Sequence, residues 1–346
     1  SEESEESDFH TDLQRFAAGV GRTSDAEFEE SGGSIAAEVS AAADAARGTP
    51  TTNSGAPDLQ SEELEDAQAV PGFVRQARRR AFWSSRGMRA AMAVLVLLLG
   101  HSLGMHRKLV HDSFDCPRWL EYLLVWLGTQ VGLAGPLSMV RTHDLRDFAQ
   151  RLPDCHDFLA HRRGLLVDAW WQLHCELRLD HPPRIELEAR IRDDVFFRFL
   201  ERTWMWQHLA VALLFFAAGG WGFVFWGVCA RVTAGVFGHW LVGYFAHNHG
   251  RIHHEVMGAT VQGHNLPMLS LLTMGECWHN NHHAFPGSSR LGIHPGEWDP
   301  GWWTLCGLRR LGLVSNLRLP GDLPFRPELR RLTANEPLPS RVLITE

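Results

Sequence analysis

The stretch His279-Asn280-Asn281-His282-His283 runs on into Ala284-Phe285-Pro286-Gly287. Residues three and four apart share one face of a helix, so the three imidazoles can converge on one metal ion. Proline and glycine just beyond predict that this helix stops after the cluster. The plain alternative is a polar helix end, yet three histidines at this spacing are a poor match to chance. Neutral imidazole suits iron, zinc, copper and nickel, so the spacing says metal without naming it.

Working outward, His106 and His111 form an H-x4-H pair directly after the apolar run Ala90–Met105. On a regular α-helix, residues five apart point about 140° away from each other. Both reach one site only if the helix ends or turns near His106, as a span does where it meets water. His143-Asp144-Leu145-Arg146-Asp147 stands at the far end of the apolar stretch Leu120–Val140. If His111 and His143 serve one site, that stretch cannot cross a bilayer once; it lies at the interface or re-enters. Trp206–Trp226 and Val228–Ala246 predict a helical hairpin joined near Gly227, long enough to cross and return. His247, His249, His253 and His254 follow the hairpin, and then the HNNHH stretch. Every histidine cluster therefore falls on one face of the membrane.

The 346 residues suit one large domain or two small ones. Residues 1–70 hold 17 acidic and three basic side chains, so against a total of −7 the remainder carries about +7. That leading segment buries too little apolar surface to offset its ordering entropy and is expected to be a disordered acidic tail. Arg75, Arg78, Arg79, Arg80, Arg86 and Arg89 then form a basic cluster over 71–89, as expected on the cytoplasmic side of a span. The apolar residues that follow argue against nucleic-acid binding. Fourteen tryptophans fit membrane interfaces as well as core packing. Cys116, Cys155, Cys175, Cys229, Cys277 and Cys306 make no C-x-x-C pair, which excludes zinc-ribbon, iron–sulfur and thioredoxin spacings and predicts free thiols. The sequence opens at Ser1 without an initiator methionine, as a piece of a longer chain would, and its first residues show no signal-peptide pattern.

The histidine pattern resembles that of the membrane fatty acid desaturases, in particular the acyl-CoA desaturase branch. That family shows H-x4-H, then H-x-x-H-H twice, with Asn-x3-His ahead of the third box. His106 and His111 match the first box, and His279, His282 and His283 match the third. His-Asn-Asn-His-His-Ala-Phe-Pro is similar to bacterial members. Gly104, Phe114, Pro117, Trp119-Leu120-Glu121-Tyr122 and Gly128 flank the first box in the family manner. Trp298-Asp299-Pro300, Trp302-Trp303 and Leu311-Gly312-Leu313-Val314 extend the likeness past the third. Trp240-Leu241-Val242, Ala246-His247 and Gly250 resemble the segment that carries another iron ligand. The resemblance covers roughly residues 90–320.

Three departures stand out. The second box keeps His143 but puts Arg146 and Asp147 in the other two ligand positions. Aspartate is an oxygen donor that iron accepts, whereas guanidinium is cationic and accepts nothing. Gly243 stands where the family has asparagine. One span precedes the first box where the family has two, which would put the histidines opposite the arginine cluster and against the positive-inside rule. His156, His161, His174, His181, His249, His253, His254, His264 and His294 are spare; each is expected at the surface or supporting a ligand, with His156 and His161 the nearest candidates for a supporting role.

The resemblance implies an all-α integral membrane protein, a transmembrane helix bundle whose cytosolic histidine-rich cap holds the metal site. With the composition, this divides the chain into an acidic tail over 1–70, a basic juxtamembrane segment over 71–89, a desaturase-like membrane domain over 90–325 and a C-terminal tail over 326–346. Two irons per chain are expected on His106, His111, His143, Asp147, His247, His279, His282 and His283, with O2 as co-substrate and no catalytic residue beyond these ligands. A fatty acyl chain in membrane lipid or on a carrier would lose two hydrogens. A methylene C–H offers no acid, base or leaving group, so the chemistry demands a redox metal. No flavin or dinucleotide motif is present, so electrons must come from outside, and the resemblance implies ferredoxin or a cytochrome b5-type protein as their donor; Arg309 and Arg310 are candidates to meet it, or plain solvated charge. The alternatives are a hydroxylase on the same scaffold, a non-catalytic lipid- or metal-binding relative, and a metal-dependent hydrolase, for which no general base stands out.

Overall fold

Two glycines decide how the first helices meet. The computed structural model describes residues 94–179 and 183–332, which belong to the compact unit Pro71–Glu346. The acidic segment 1–70, the basic segment 71–89, residues 90–93, His181 and residues 333–346 lie outside the described residues. Helix α1 (Leu95–Val110) is wound as a π-helix, and α2 (Arg118–Thr129) packs on it. A Cβ on Gly100 would sit 2.4 Å from the Leu127 carbonyl carbon, and one on Gly104 only 2.3 Å from the Leu124 oxygen. Small residues four apart let two helix backbones touch. Leu103, Phe114, Leu120 and Leu124 fill one core beside this contact. Met105, Leu109, Val125 and Val140 fill another with Phe197 and Leu200.

The apolar stretch Leu120–Val140 is two helices rather than one. It breaks after α2 at Gly132, whose φ of 90° suits glycine, and resumes as α3 (Pro136–Gln150) with proline in its first turn. The Glu201 carboxylate accepts hydrogen bonds from the Leu137 and Ser138 amides, at 2.9 and 3.1 Å. It satisfies N–H groups that a helix start leaves without partners. Two short helices follow, α4 (Asp157–Ala160) and α5 (Leu165–His174), and then α6 (Ala189–Arg192).

The expected hairpin is present, but its turn is elsewhere. Helix α7 (Val195–Gly219) starts at Asp194, whose carboxylate accepts from the Phe197 amide at 2.8 Å. It ends at Gly220, where φ is 73°, and α8 (Trp221–Asn248) begins at once. Gly227, expected as the joint, lies inside α8 in a π-wound segment. Its missing side chain makes room for the Phe215 ring, which a Cβ would meet at 2.4 Å. A Gly-Gly pair offered the freer backbone, and the turn formed there. Among the described residues α8, with 28 residues, is the one helix long and apolar enough to cross a membrane. Met205, Trp206, Leu213 and Leu214 on α7, and Trp221, Phe225 and Trp226 on α8, are exposed.

The chain then crosses the histidine-bearing cap. Strand β1 (His254–Val256) pairs antiparallel with β2 (Leu329–Arg331), His254 opposite Arg331 and Val256 opposite Leu329. The segment after 325 is therefore not all tail. Arg330 Nη2 meets Glu255 across the sheet at 2.7 Å, and Arg326 Nη1 donates to the His283 and Ala284 carbonyls at 2.9 and 3.0 Å. Between the strands lie α9 (His279–Ala284) and α10 (Pro300–Arg310). The described residues are thus mainly helical, with one two-stranded sheet.

Candidate metal centre

Helix α9 is six residues long and ends at Phe285 before Pro286. Its two asparagines build the frame that aims its histidines. Asn280 Oδ1 accepts from the His253 and His254 amides at 2.8 and 2.9 Å. Its Nδ2 donates to the His254 and Gly263 carbonyls at 2.7 and 2.9 Å. Asn281 Nδ2 donates to the Leu291 carbonyl and to Glu297 Oε2, both at 2.8 Å. At the helix start, Asn265 Oδ1 accepts from the Asn280 amide at 2.9 Å. Both asparagines are 1% exposed, so these bonds are what makes their burial tolerable.

The three histidines do not converge on one point. His282 faces His106, His111 and His143, and these four donor atoms lie within 4.8 Å of one another. His279 and His283 form a separate group with His247 under the same limit. One helical turn therefore feeds two adjacent clusters, because i+4 lies about 40° to one side of i and i+3 about 60° to the other. His282 Nε2 is 3.4 Å from His106 Nε2. His279 Nε2 is 3.1 Å from His247 Nε2 and 3.0 Å from His283 Nε2.

The H-x4-H pair is brought together by the winding of α1. The His111 amide donates to the His106 carbonyl at 3.2 Å, a step of five residues. An i→i+5 helix takes more residues per turn than an α-helix, so five residues come closer to a full turn. The His106 and His111 rings end 4.9 Å apart at their centroids. His143, on α3, closes the group with its ring 4.8 Å from that of His111.

Outer partners fix which nitrogen faces inward. His106 Nδ1 lies 2.5 Å from Glu276 Oε2, while Nε2 is the nitrogen turned toward His282. Ser102 Oγ donates to the other oxygen of Glu276, also at 2.5 Å. Burial alone would raise the Glu276 carboxyl, but His106, with Arg107 behind it, holds it well below the usual carboxylate range. His247 Nδ1 donates to the Gly243 carbonyl at 2.7 Å, which leaves Nε2 for the second cluster. This is how imidazoles are oriented toward a cation. Burial, then repulsion from neighbouring imidazoles, pushes His279 and His282 well below the ordinary histidine range. Burial takes His283 down to about 4. All three are neutral at pH 7 and able to donate a lone pair.

Nitrogen lone pairs facing each other at 3.0 to 3.4 Å repel unless a proton or a cation lies between them. A group of three or four imidazoles has too few N–H groups to satisfy every pair. His111 Nε2 and His282 Nδ1 are buried with no hydrogen-bond partner. The donor chemistry fits a metal ion in each cluster, and the orphaned atoms of His111 and His282 add to this for the first.

The altered second box separates into two parts. Asp147, expected as a ligand, falls in neither donor group; burial raises its carboxyl, but His283, His143 and Arg151 outweigh that and hold it below the usual carboxylate range. Its Oδ2 accepts from Arg151 at 2.8 Å. Arg146 joins neither cluster. Its Nη2 donates to Gln172 Oε1 at 3.0 Å, and its Nη1 closes on His161 Nε2. Gly243 explains how His161 arrives there, since a Cβ on Gly243 would be 3.1 Å from His161 Nε2. His161 Nδ1 bonds Asp168 Oδ2 at 2.9 Å, and its ring stacks on His247 with centroids 5.5 Å apart. Trp240 Nε1 donates to the same Asp168 oxygen at 2.8 Å. His156 instead caps α4, accepting from the Phe158 amide at 3.1 Å.

Sequence reasoning missed Glu276 and Asp168. Glu276 stands three residues before His279, a spacing that on a continuous helix would have placed it near the box; Asp168 carried no local signal.

Paired imidazole clusters on a mainly helical frame define a histidine-box protein. The chain belongs to the fatty acid desaturase family, whose model matches residues 88–294. An sn-1 stearoyl-lipid 9-desaturase of Synechocystis sp. is 34% identical over 244 residues, 69% of this chain and 74% of the relative. The sn-1 stearoyl-lipid 9-desaturase of Anabaena variabilis is 36% identical over 250 residues, 69% of this chain and 88% of the relative. An acyl-CoA 5-desaturase of Anemone leveillei is 31% identical over 248 residues, 71% of this chain and 74% of the relative. The chain is an enzyme of this type.

Proposed function

We propose that this chain is a membrane-embedded fatty acyl desaturase that works with two irons and O2. The observation that carries the reading is the division of one six-residue helix between two adjacent imidazole clusters. The first iron falls to His106, His111, His143 and His282, and the second to His247, His279, His283 and Asp147. Bound iron supplies the oxidising power, with O2, to take hydrogen from an unactivated methylene. The chain's own part is to keep the ring nitrogens neutral, oriented and out of water. Glu276 faces His106 Nδ1, and the Gly243 carbonyl accepts from His247 Nδ1.

The exposed tryptophans, leucines and phenylalanines of α7 and α8 suit lipid contact and make a poor water-facing surface. The reading places these helices in a transmembrane bundle and the histidine cap on the cytoplasmic side, with the acidic tail and basic segment ahead of it. The substrate is a fatty acyl chain, on a lipid as in the cyanobacterial relatives or on CoA as in the Anemone leveillei relative. Electrons come from ferredoxin or a cytochrome b5-type donor.

The test is metal content of the detergent-purified chain, with zinc counted beside iron. About two irons per chain, and an unsaturated product from acyl lipid or acyl-CoA with ferredoxin, is the expected result. One iron or none, with no unsaturated product, overturns it in favour of a non-catalytic relative; a hydroxylated product points to a hydroxylase on this scaffold.

Asp147→Ala tests the altered box itself. Removing the anionic oxygen beside His283 should weaken iron in the second cluster by about tenfold or more. Iron retention after dialysis against a graded chelator reads this, and retention equal to that of the unaltered chain would remove Asp147 from the site.

A further inference from the structure

A third group of donors lies outside both clusters. His253 follows α8 in the loop before β1, while His294 and Glu297 lie in the loop between α9 and α10. One donor atom from each lies within 4.8 Å of the others. Ligands of a tetrahedral ion bonded at about 2.0–2.2 Å stand about 3.3–3.6 Å from one another. His253 Nδ1 and Glu297 Oε1, 3.8 Å apart, are already close to that separation.

The three side chains behave as a site with its centre missing. His253 Nδ1 and His294 Nε2 are buried atoms with no hydrogen-bond partner. The rings stand edge to face with centroids 4.7 Å apart. Glu297 is 7% exposed at its side chain, so its charge is largely withdrawn from water. One of its oxygens is fully used, accepting from Asn281 Nδ2 at 2.8 Å and the His294 amide at 2.9 Å. The other, Oε1, is turned to His253 Nδ1 at 3.8 Å, beyond hydrogen-bond reach. Two buried ring nitrogens without a partner, beside the largely buried carboxylate of Glu297, are satisfied together by one cation.

We propose that His253, His294 and Glu297 bind a single divalent transition-metal ion that braces the third histidine box. Two imidazoles and one carboxylate suit zinc or ferrous iron, with the remaining positions open to water. The brace acts through the box's own asparagines. Asn281 Nδ2 holds Glu297 Oε2, and Asn280 Oδ1 holds the His253 amide. An ion joining His253 to Glu297 therefore clamps both limbs onto α9, which supplies His279, His282 and His283. The site differs from the two buried clusters in access, since the His253 side chain is 37% exposed.

The experiment uses the full chain in detergent. Zinc alone is titrated into the metal-depleted protein and counted after gel filtration, for the unaltered chain, His253→Phe and His294→Phe. Each variant keeps an aromatic ring in the same space. Each should bind one zinc fewer per chain than the unaltered protein. The double variant His253→Phe with His294→Phe should lose that same single equivalent and no more. Zinc should also raise the Tm of the unaltered chain more than that of either variant. Equal zinc uptake by all three chains overturns the site, whatever the two buried clusters hold. If a variant fails to fold, zinc uptake by His282→Ala decides: more than one equivalent remaining, one of them released by a mild chelator within minutes, supports the exposed site, and no such readily released equivalent overturns it. Failure of the di-iron reading would appear separately, as absent iron in the purified chain with the zinc difference intact.

Discussion

His282→Ala should abolish turnover and strip iron from the first cluster. Its Nε2 lies 3.4 Å from His106 Nε2, and its ring touches those of His106, His111, His143, His279 and His283. It is 2% exposed, so the vacancy does not fill with an alternative donor from solvent-facing chain. Changing a group that merely orients a metal ligand costs about 10- to 100-fold. Losing a donor from the cluster itself should cost at least the upper figure. Desaturation should fall below about 1% of the unaltered enzyme, with iron in the first cluster reduced and that on His247, His279 and His283 partly kept. Neutral burial makes the substitution mild for folding, since His282 carries no charge whose partner would be stranded. A normal melting transition with lost iron is the signature expected. Unchanged turnover in His282→Ala would sink the di-iron assignment outright.

Much of this is legible in the sequence. The HNNHH stretch and its stop at Pro286 lie on a short helix as the periodicity required. The apolar stretches around Trp206–Ala246 did form paired helices. What failed were features set by neighbours. The joint fell at Gly220, because two adjacent glycines free the backbone more than Gly227 alone, and Gly227 instead makes room for Phe215. The pitch of α1 brought His106 and His111 together by i→i+5 winding, which no residue-by-residue preference announces. The third box looked like a single metal face because helical spacing cannot say which of two facing partners each imidazole meets. Only the approach of α1, α3 and α8 divides His282 from its neighbours. The replacement of asparagine by Gly243 read as a loss, yet it is the opening that His161 occupies. The final strand β2 was read as tail, since three residues with two arginines give almost no strand signal without β1 beside them.

Asp299→Ala should be the most destabilising single change in the cap. Arg107 and Asp299 are each 1% exposed at the side chain and pair at 2.9 Å. Asp299 Oδ1 also accepts from the Trp302 amide at 2.9 Å, capping α10. Its Oδ2 accepts from the Leu291 amide at 2.8 Å and the Gly292 amide at 3.2 Å. One carboxylate thus neutralises a buried guanidinium, starts a helix and ties down the loop that leads to it. Breaking a buried pair from one side strands the other charge, at about 3–5 kcal/mol. Arg107 has little room to escape, because a Cβ on Gly301 would overlap its Nη1 at 1.4 Å. The guanidinium's remaining acid is Glu276, 3.8 Å away, which already serves His106 and Ser102. In Asp299→Ala, Arg107 should draw Glu276 toward itself and loosen His106 from its orienting carboxylate. The expected result is a Tm lower by roughly 10 °C together with weakened iron in the first cluster. Asp299→Asn keeps an acceptor for the amides but not the charge, so it should recover part of the Tm and less of the iron. Thermal unfolding and iron counts on the two variants separate capping from charge. Equal values for Asp299→Asn and the unaltered chain would show that the charge of Asp299 matters to neither stability nor metal.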